Sequence, residues 1–170
     1  MKTELQKYSP TPFKILDIAS GEPYQQILKG DNICHCDIER NRYHLEIICD
    51  IHHLPFQNKA FQFTHSSHTL EHVINPAIAL SELQRVTIKK AVIIIPNGEY
   101  RVLGEHPNHI YSWTPYSFYN LLKRYFAKVD VTTNMRPPSR KGLIGFIRKI
   151  KFLALSKILA DNQIIAVCEK

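Results

Sequence analysis

No stretch of this chain stays apolar for the roughly 20 residues that a membrane-spanning helix needs. Its first twelve residues are polar and proline-bearing, unlike the apolar core of a secretory signal. The expected location is therefore the cytoplasm. No C-x-x-C pair occurs. The four cysteines are Cys34, Cys36, Cys49 and Cys168. Cys34 and Cys36 are two apart, so in a strand they share one face, and closed zinc sites usually space such ligands differently. A cysteine-based metal site is not expected; each thiol reads as a small buried hydrophobe. Glycine is scarce, at six residues, and no repeat of solenoid period is visible. Acid is nearly missing from the last third: residues 101–170 hold 12 Lys/Arg against 4 Asp/Glu, whereas residues 1–100 hold 10 against 11.

The net charge of +7 thus belongs to the C-terminal part. Residues 136–157 carry seven basic residues and no acid. Such asymmetry suits an anionic partner, or simply a solvated face. Nucleic acid is the weaker reading, because only Phe146 and Phe152 are available there to stack on bases. A length of 170 residues with 44% hydrophobic residues fits one domain spanning 1–170.

Short apolar runs alternate with helical patterns. Residues 14–18, 32–36, 46–49 and 61–66 read as strands, with a short helix at 23–28. Asn75-Pro76 is a helix start, since Asn caps and Pro fits the first turn. Ile78, Ala79, Leu83 and Val86 then recur at helical spacing. The run 91–95, closed by Pro96, reads as a central parallel strand. Thr114-Pro115 repeats the cap signal and points Phe118, Leu121, Leu122 and Tyr125 at a core. Residues 128–133 and 163–167 are the last strands. The alternation predicts an α/β fold, doubly wound, with a mostly parallel sheet of six or seven strands in a three-layer αβα arrangement.

Residues 142–160 read as a basic helix inserted before the last strand. Leu143, Ile147, Ile150, Ala154 and Ile158 form one apolar stripe, and Phe152, Leu155 and Leu159 lie nearly opposite it. Two apolar sides on one helix call for a second partner. A substrate lid, a dimer face and a membrane-surface element all satisfy that need, as does packing between the sheet and another loop.

In open parallel sheets ligands bind beyond the carboxyl ends of the strands. After the first strand comes Asp17-Ile18-Ala19-Ser20-Gly21, whose small residues allow close backbone approach. After the second comes Asp37-Ile38-Glu39, an acid placed to accept ribose hydroxyls. After the third comes Asp50-Ile51, a carboxylate and an aliphatic side chain suited to the amino group and ring of an adenine. After the fourth comes Ser66-Ser67-His68. The bland alternatives are that Asp17 closes its strand end by local hydrogen bonds and that Asp37 and Asp50 are turn residues. His68 and His72 are four apart, but no HExxH glutamate accompanies them, so no metal is expected there. The polar loop 99–113 carries Tyr100, Tyr111 and Trp113 and is long enough to select a substrate.

Ile15-Leu16-Asp17-Ile18-Ala19-Ser20-Gly21 resembles motif I of class I S-adenosylmethionine-dependent methyltransferases. Cys49–Phe56, Lys59–Phe63 and Ser66–Val73 resemble the third-to-fourth strand region of one branch of that family, and Ile93–Asn97 its fifth-strand end. The resemblance implies a Rossmann-like sheet whose last strand is antiparallel, S-adenosylmethionine as cofactor, and methyl transfer to an acceptor, with a small-molecule or lipid-linked substrate favoured. It implies that Asp17, Ala19, Ser20 and Gly21 face the methionine part. Asp37 would hold the ribose, with Ile38 on the adenine. Asp50 and Ile51 would hold the adenine edge and ring, and Ser66 or Ser67 would lie near the amino group. Candidates for a general base are His68, His72, His106 and His109. The sequence departs from the family at Ala19, where the first motif glycine is expected, at Gln62 in place of an acid, and in the short stretch before Lys14. A methyltransferase-like binding module without catalysis, docking on an anionic surface through the basic helix, is the alternative.

Overall fold

The computed structural model describes residues 14–19, 28, 31–39, 45–99, 107–133 and 163–170. The short helix expected at 23–28 lies outside these residues apart from the buried Leu28. Ser20, Gly21, Tyr100, His106, the basic stretch 136–157 and the expected helix 142–160 also lie outside them.

Short β-branched and apolar runs form the strands β1 (Ile15–Ile18), β2 (Ile33–Asp37), β3 (Ile47–Ile48), β4 (Phe61–Ser67), β5 (Thr87–Pro96), β6 (Lys128–Thr133) and β7 (Gln163–Glu169). They build one sheet in the order β3-β2-β1-β4-β5-β7-β6. The pairs from β3 to β5 are parallel, and β7 runs antiparallel to both β5 and β6. The expected mostly parallel sheet with an antiparallel last strand is therefore present. The chain leaves β1 toward β2 on one side and returns to β4 on the other, so the strand order reverses between β1 and β4. Crevices open at such a reversal, on the carboxyl side of the strands.

Two helices cover one face. Asn75 caps α1 (Pro76–Val86) by accepting from the Ala77 and Ile78 N–H groups at 3.1 and 3.3 Å. Thr114 caps α2 (Pro115–Leu122) in a reciprocal arrangement with Ser117. Ala79, Leu80, Leu83 and Val86 of α1, with Phe118 and Leu122 of α2, join one core with Leu16, Ile18, Cys34, Cys36, Ile93 and Ile95. Cys34, Cys36 and Cys168 are buried free thiols, and burial pushes Cys34 and Cys168 up to about 12. They behave as apolar core groups.

β5 starts four residues earlier than its apolar run suggests, because Thr87 ends α1 and opens the strand at once. Its hydroxyl donates to the Leu83 carbonyl at 2.6 Å and lies 2.8 Å from the Thr64 hydroxyl of β4. Lys89 and Lys90, both exposed, hide this part of the strand from a hydrophobic pattern. Between β3 and β4 a loop takes the place of a helix. Arg85 of α1 holds that loop, donating to the Leu54 and Phe56 carbonyls at 2.9 and 2.6 Å while paired in bidentate fashion with Glu82. No described helix is long and apolar enough to cross a membrane.

Candidate active site

The carboxyl ends of β1 to β4 gather most of the residues singled out from the sequence. Ala19, just past β1, has φ 59°. This left-handed backbone is one that glycine adopts freely and alanine only at a cost of about 1–2 kcal/mol. His68, just past β4, has φ 52°. Two non-glycine residues are thus held in left-handed conformation at the ends of the two strands between which the order reverses. Strain of this kind clusters at functional sites.

Asp17 lies one residue before the end of β1 and is 1% exposed. It aligns with His35 of β2 and His65 of β4 across the parallel ladder. His35 Nδ1–H donates to Asp17 Oδ2 at 3.0 Å, and His65 Nδ1–H donates to Oδ1 at 2.6 Å. Burial raises the Asp17 pKa, but the two histidines outweigh it and hold the carboxyl below its ordinary value of 3.8. The bond to Asp17 raises His35 above 6.5 against the opposing effect of burial. Both Asp17 oxygens are therefore engaged within the sheet. The local backbone closure weighed from the sequence is replaced by a side-chain bridge from the flanking strands. Neither histidine stood out in the sequence. The signal available was register: both occupy the position level with Asp17.

Asp37 ends β2, and its Oδ1 accepts from the Glu39 N–H at 3.1 Å. Ile38 beside it is 63% exposed, the kind of apolar surface a ring can cover. The Asp37 carbonyl accepts from the Cys49 N–H at 2.8 Å, which brings the ends of β2 and β3 together. Asp50 follows β3, and its Oδ1 accepts from both the backbone N–H and Nδ1–H of His52, at 2.9 and 2.7 Å. Desolvation raises its pKa, but these bonds bring the net value below the ordinary one. Ile51, next to Asp50, is 6% exposed and packs in the core.

Ser66 is also turned inward. It pairs with Ile18 and Ile93, both members of the core, and its Oγ has no hydrogen-bond partner among the described residues. Ser67, one residue on, is 4% exposed, and its carbonyl accepts from the Thr69 hydroxyl. His68 lies 2.7 Å from the Gln163 amide nitrogen through Nε2 and 3.2 Å from Glu71 Oε1 through Nδ1. His72 and His109 meet edge to face with ring centroids 4.7 Å apart. Of the histidines weighed as bases, the described His68, His72 and His109 are thus gathered beyond β4.

The described residues that follow β5 pack closely against those that precede α2. Gly98 N–H donates to the Trp113 carbonyl at 2.8 Å, and a side chain at Gly98 would strike Ser112 and Trp113. Tyr111 stacks on Trp113 at 5.3 Å.

Residues 20–95 match a family model described as a methyltransferase domain. No curated protein matches the chain. Among solved structures, a S-adenosylmethionine-dependent methyltransferase from Archaeoglobus fulgidus is similar with a TM-score of 0.64 and 18% identity, over 96% of this chain and 88% of that one. A putative methyltransferase from Haloferax volcanii, solved in complex with the Trm112 methyltransferase activator, has a TM-score of 0.60 at 10% identity, over 93% and 84%. Phosphoethanolamine N-methyltransferase 2 from Haemonchus contortus, solved with S-adenosyl-L-methionine, gives 0.60 at 14%, over 93% of this chain and 48% of that one.

Proposed function

We infer that this chain, related to the class I S-adenosylmethionine-dependent methyltransferases through residues 20–95 and through its sheet, transfers the methyl group of S-adenosylmethionine to an acceptor held beyond β4. The observation that carries the reading is the convergence, at one carboxyl edge, of left-handed Ala19, Asp37 beside exposed Ile38, and Asp50. These residues fit the cofactor. The left-handed turn at Ala19 leads the chain into Ser20 and Gly21, where small residues allow backbone to lie against the methionine part. Asp37 accepts the ribose hydroxyls and Ile38 covers the adenine. Asp50 accepts from its amino group, with His52 fixing the carboxylate's orientation. Ser67 is the serine of the pair suited to the methionine end, since Ser66 faces the core.

Bound there, the cofactor supplies a sulfonium, a ready leaving group. What remains for the protein is to align the acceptor and exclude water. His68 lies between Gln163 and Glu71, and once its Nε2 exchanges the Gln163 amide for the acceptor's hydroxyl or amine, that nitrogen takes the acceptor's proton where the acceptor carries one. Asp17 acts at a distance, as a positioning residue that ties β1 to both neighbours through His35 and His65. Calorimetric titration with S-adenosylmethionine tests the reading. Saturable binding, weakened about tenfold or more (about 1.4 kcal/mol) by Asp37→Ala, is the expected result. Absence of heat at millimolar ligand would refute it.

A further inference from the structure

Immediately past β4, Glu71 is 1% exposed, and neither of its carboxylate oxygens has a hydrogen-bond partner among the described residues. His68 Nδ1 approaches Oε1 to 3.2 Å, outside hydrogen-bond geometry, and Oε2 lacks even that contact. An isolated buried carboxylate is costly unless a cation or a proton compensates it. Two imidazoles stand next to it. Glu71, His72 and His109 each offer a ligand atom, and these atoms lie within 4.8 Å of one another. His72 Nδ1–H donates to the Asn108 carbonyl at 2.9 Å. That bond fixes the tautomer and leaves the other ring nitrogen with its lone pair, the arrangement metal-bound histidines usually show. The loop carrying His109 is latched in place. Ile110 and Tyr111 N–H groups donate to the Glu71 carbonyl at 2.8 and 3.2 Å, and the Tyr111 hydroxyl donates to the Ile74 carbonyl at 3.0 Å.

We propose that Glu71, His72 and His109 form a divalent transition-metal site at the carboxyl edge of the sheet. Two imidazoles and one carboxylate are borderline ligands that suit zinc, and three protein ligands leave a position for water or substrate. Bonds of about 2.0–2.2 Å require the three atoms to draw together by about 1 Å. That is a matter of side-chain rotation, since His72 and His109 are partly exposed. The expectation of no metal drawn from cysteine spacing and the missing HExxH pattern does not reach this site, because His109 joins it from a separate loop. If the methyl-transfer reading holds, a cation here sits beside His68, where it can bind an acceptor oxygen and ease its deprotonation.

The test is titration of the metal-free chain with Zn²⁺ alone, without S-adenosylmethionine, and with Co²⁺ as an absorbing reporter. Wild type is expected to take up one equivalent at micromolar metal, with a Co²⁺ spectrum of low coordination number. His72→Ala and His109→Ala should each weaken uptake by roughly 1,000-fold or more, beyond the 10–100-fold typical of losing an outer partner. His53→Ala, on the exposed loop after β3, should leave it unchanged. Glu71→Gln adds a fourth arm if it folds, and His109→Ala decides the matter if it does not. No uptake by wild type, or uptake that survives both His72→Ala and His109→Ala, would overturn the site. Neither result bears on cofactor binding at β1 to β3, so the two readings fail separately.

Discussion

Asp17 carries a buried carboxylate bridged to both neighbouring strands. An acid at the end of a first strand invites a role facing ligand. Here both of its oxygens are taken by His35 and His65 on the neighbouring strands. The linkage has a definite sign. His35 is raised above its ordinary 6.5 by Asp17, so its contribution to stability is complete below that pH and fades as pH rises through the raised value. Asp17 is lowered, so its own contribution persists above 3.8 and is lost only as pH falls through its depressed value. Thermal melts from pH 5.5 to 8.5, a span of about three units around the ordinary histidine value, should show wild type losing its advantage over His35→Gln as pH rises. An advantage that stays constant or grows would contradict the pairing. Asp37 and Asp50 stood out in the sequence because each closes or soon follows a short apolar run, and both lie at the carboxyl ends of β2 and β3. The burial of Ile51 and Ser66 could not be read there, because which side of a strand end a side chain takes depends on the core packed behind it.

At the level of elements, the helices could be read from caps. Asn75-Pro76 and Thr114-Pro115 start α1 and α2 where the side-chain oxygens and the missing proline N–H predict. The end of α1 was harder. It passes into β5 at Thr87 without a glycine or a proline, through hydroxyl bonds that local patterning does not reveal. The 50–60 loop depends on α1 as well. Arg85 meets two of its carbonyls, and Glu82 accepts from the Leu54 N–H at 2.8 Å. Arg85→Ala removes a fork that lysine cannot reproduce, and should cost about 1–3 kcal/mol, the range for hydrogen bonds to a charged group and for carbonyls left unpaired. Urea denaturation measures it. A change within a few tenths of wild type would show that the loop holds itself.

Across the whole molecule, the strand order reverses between β1 and β4, and the residues proposed to hold the cofactor gather at that edge. The residues singled out near the end of each early strand follow one another along the chain, and strand order turns that sequence into adjacency along one edge. What could not be read is long-range: His65 is 48 residues from Asp17, and Glu71 meets His109 from another loop. Strand register and loop closure decide those meetings. The central claim is that one carboxyl edge holds the cofactor. Hydrogen–deuterium exchange with and without S-adenosylhomocysteine tests it most directly. Protection should concentrate in peptides covering 16–21, 36–39, 48–52 and 66–69, with β6 and α2 unchanged. Protection centred on β6 and β7, or none at saturating ligand, would contradict it.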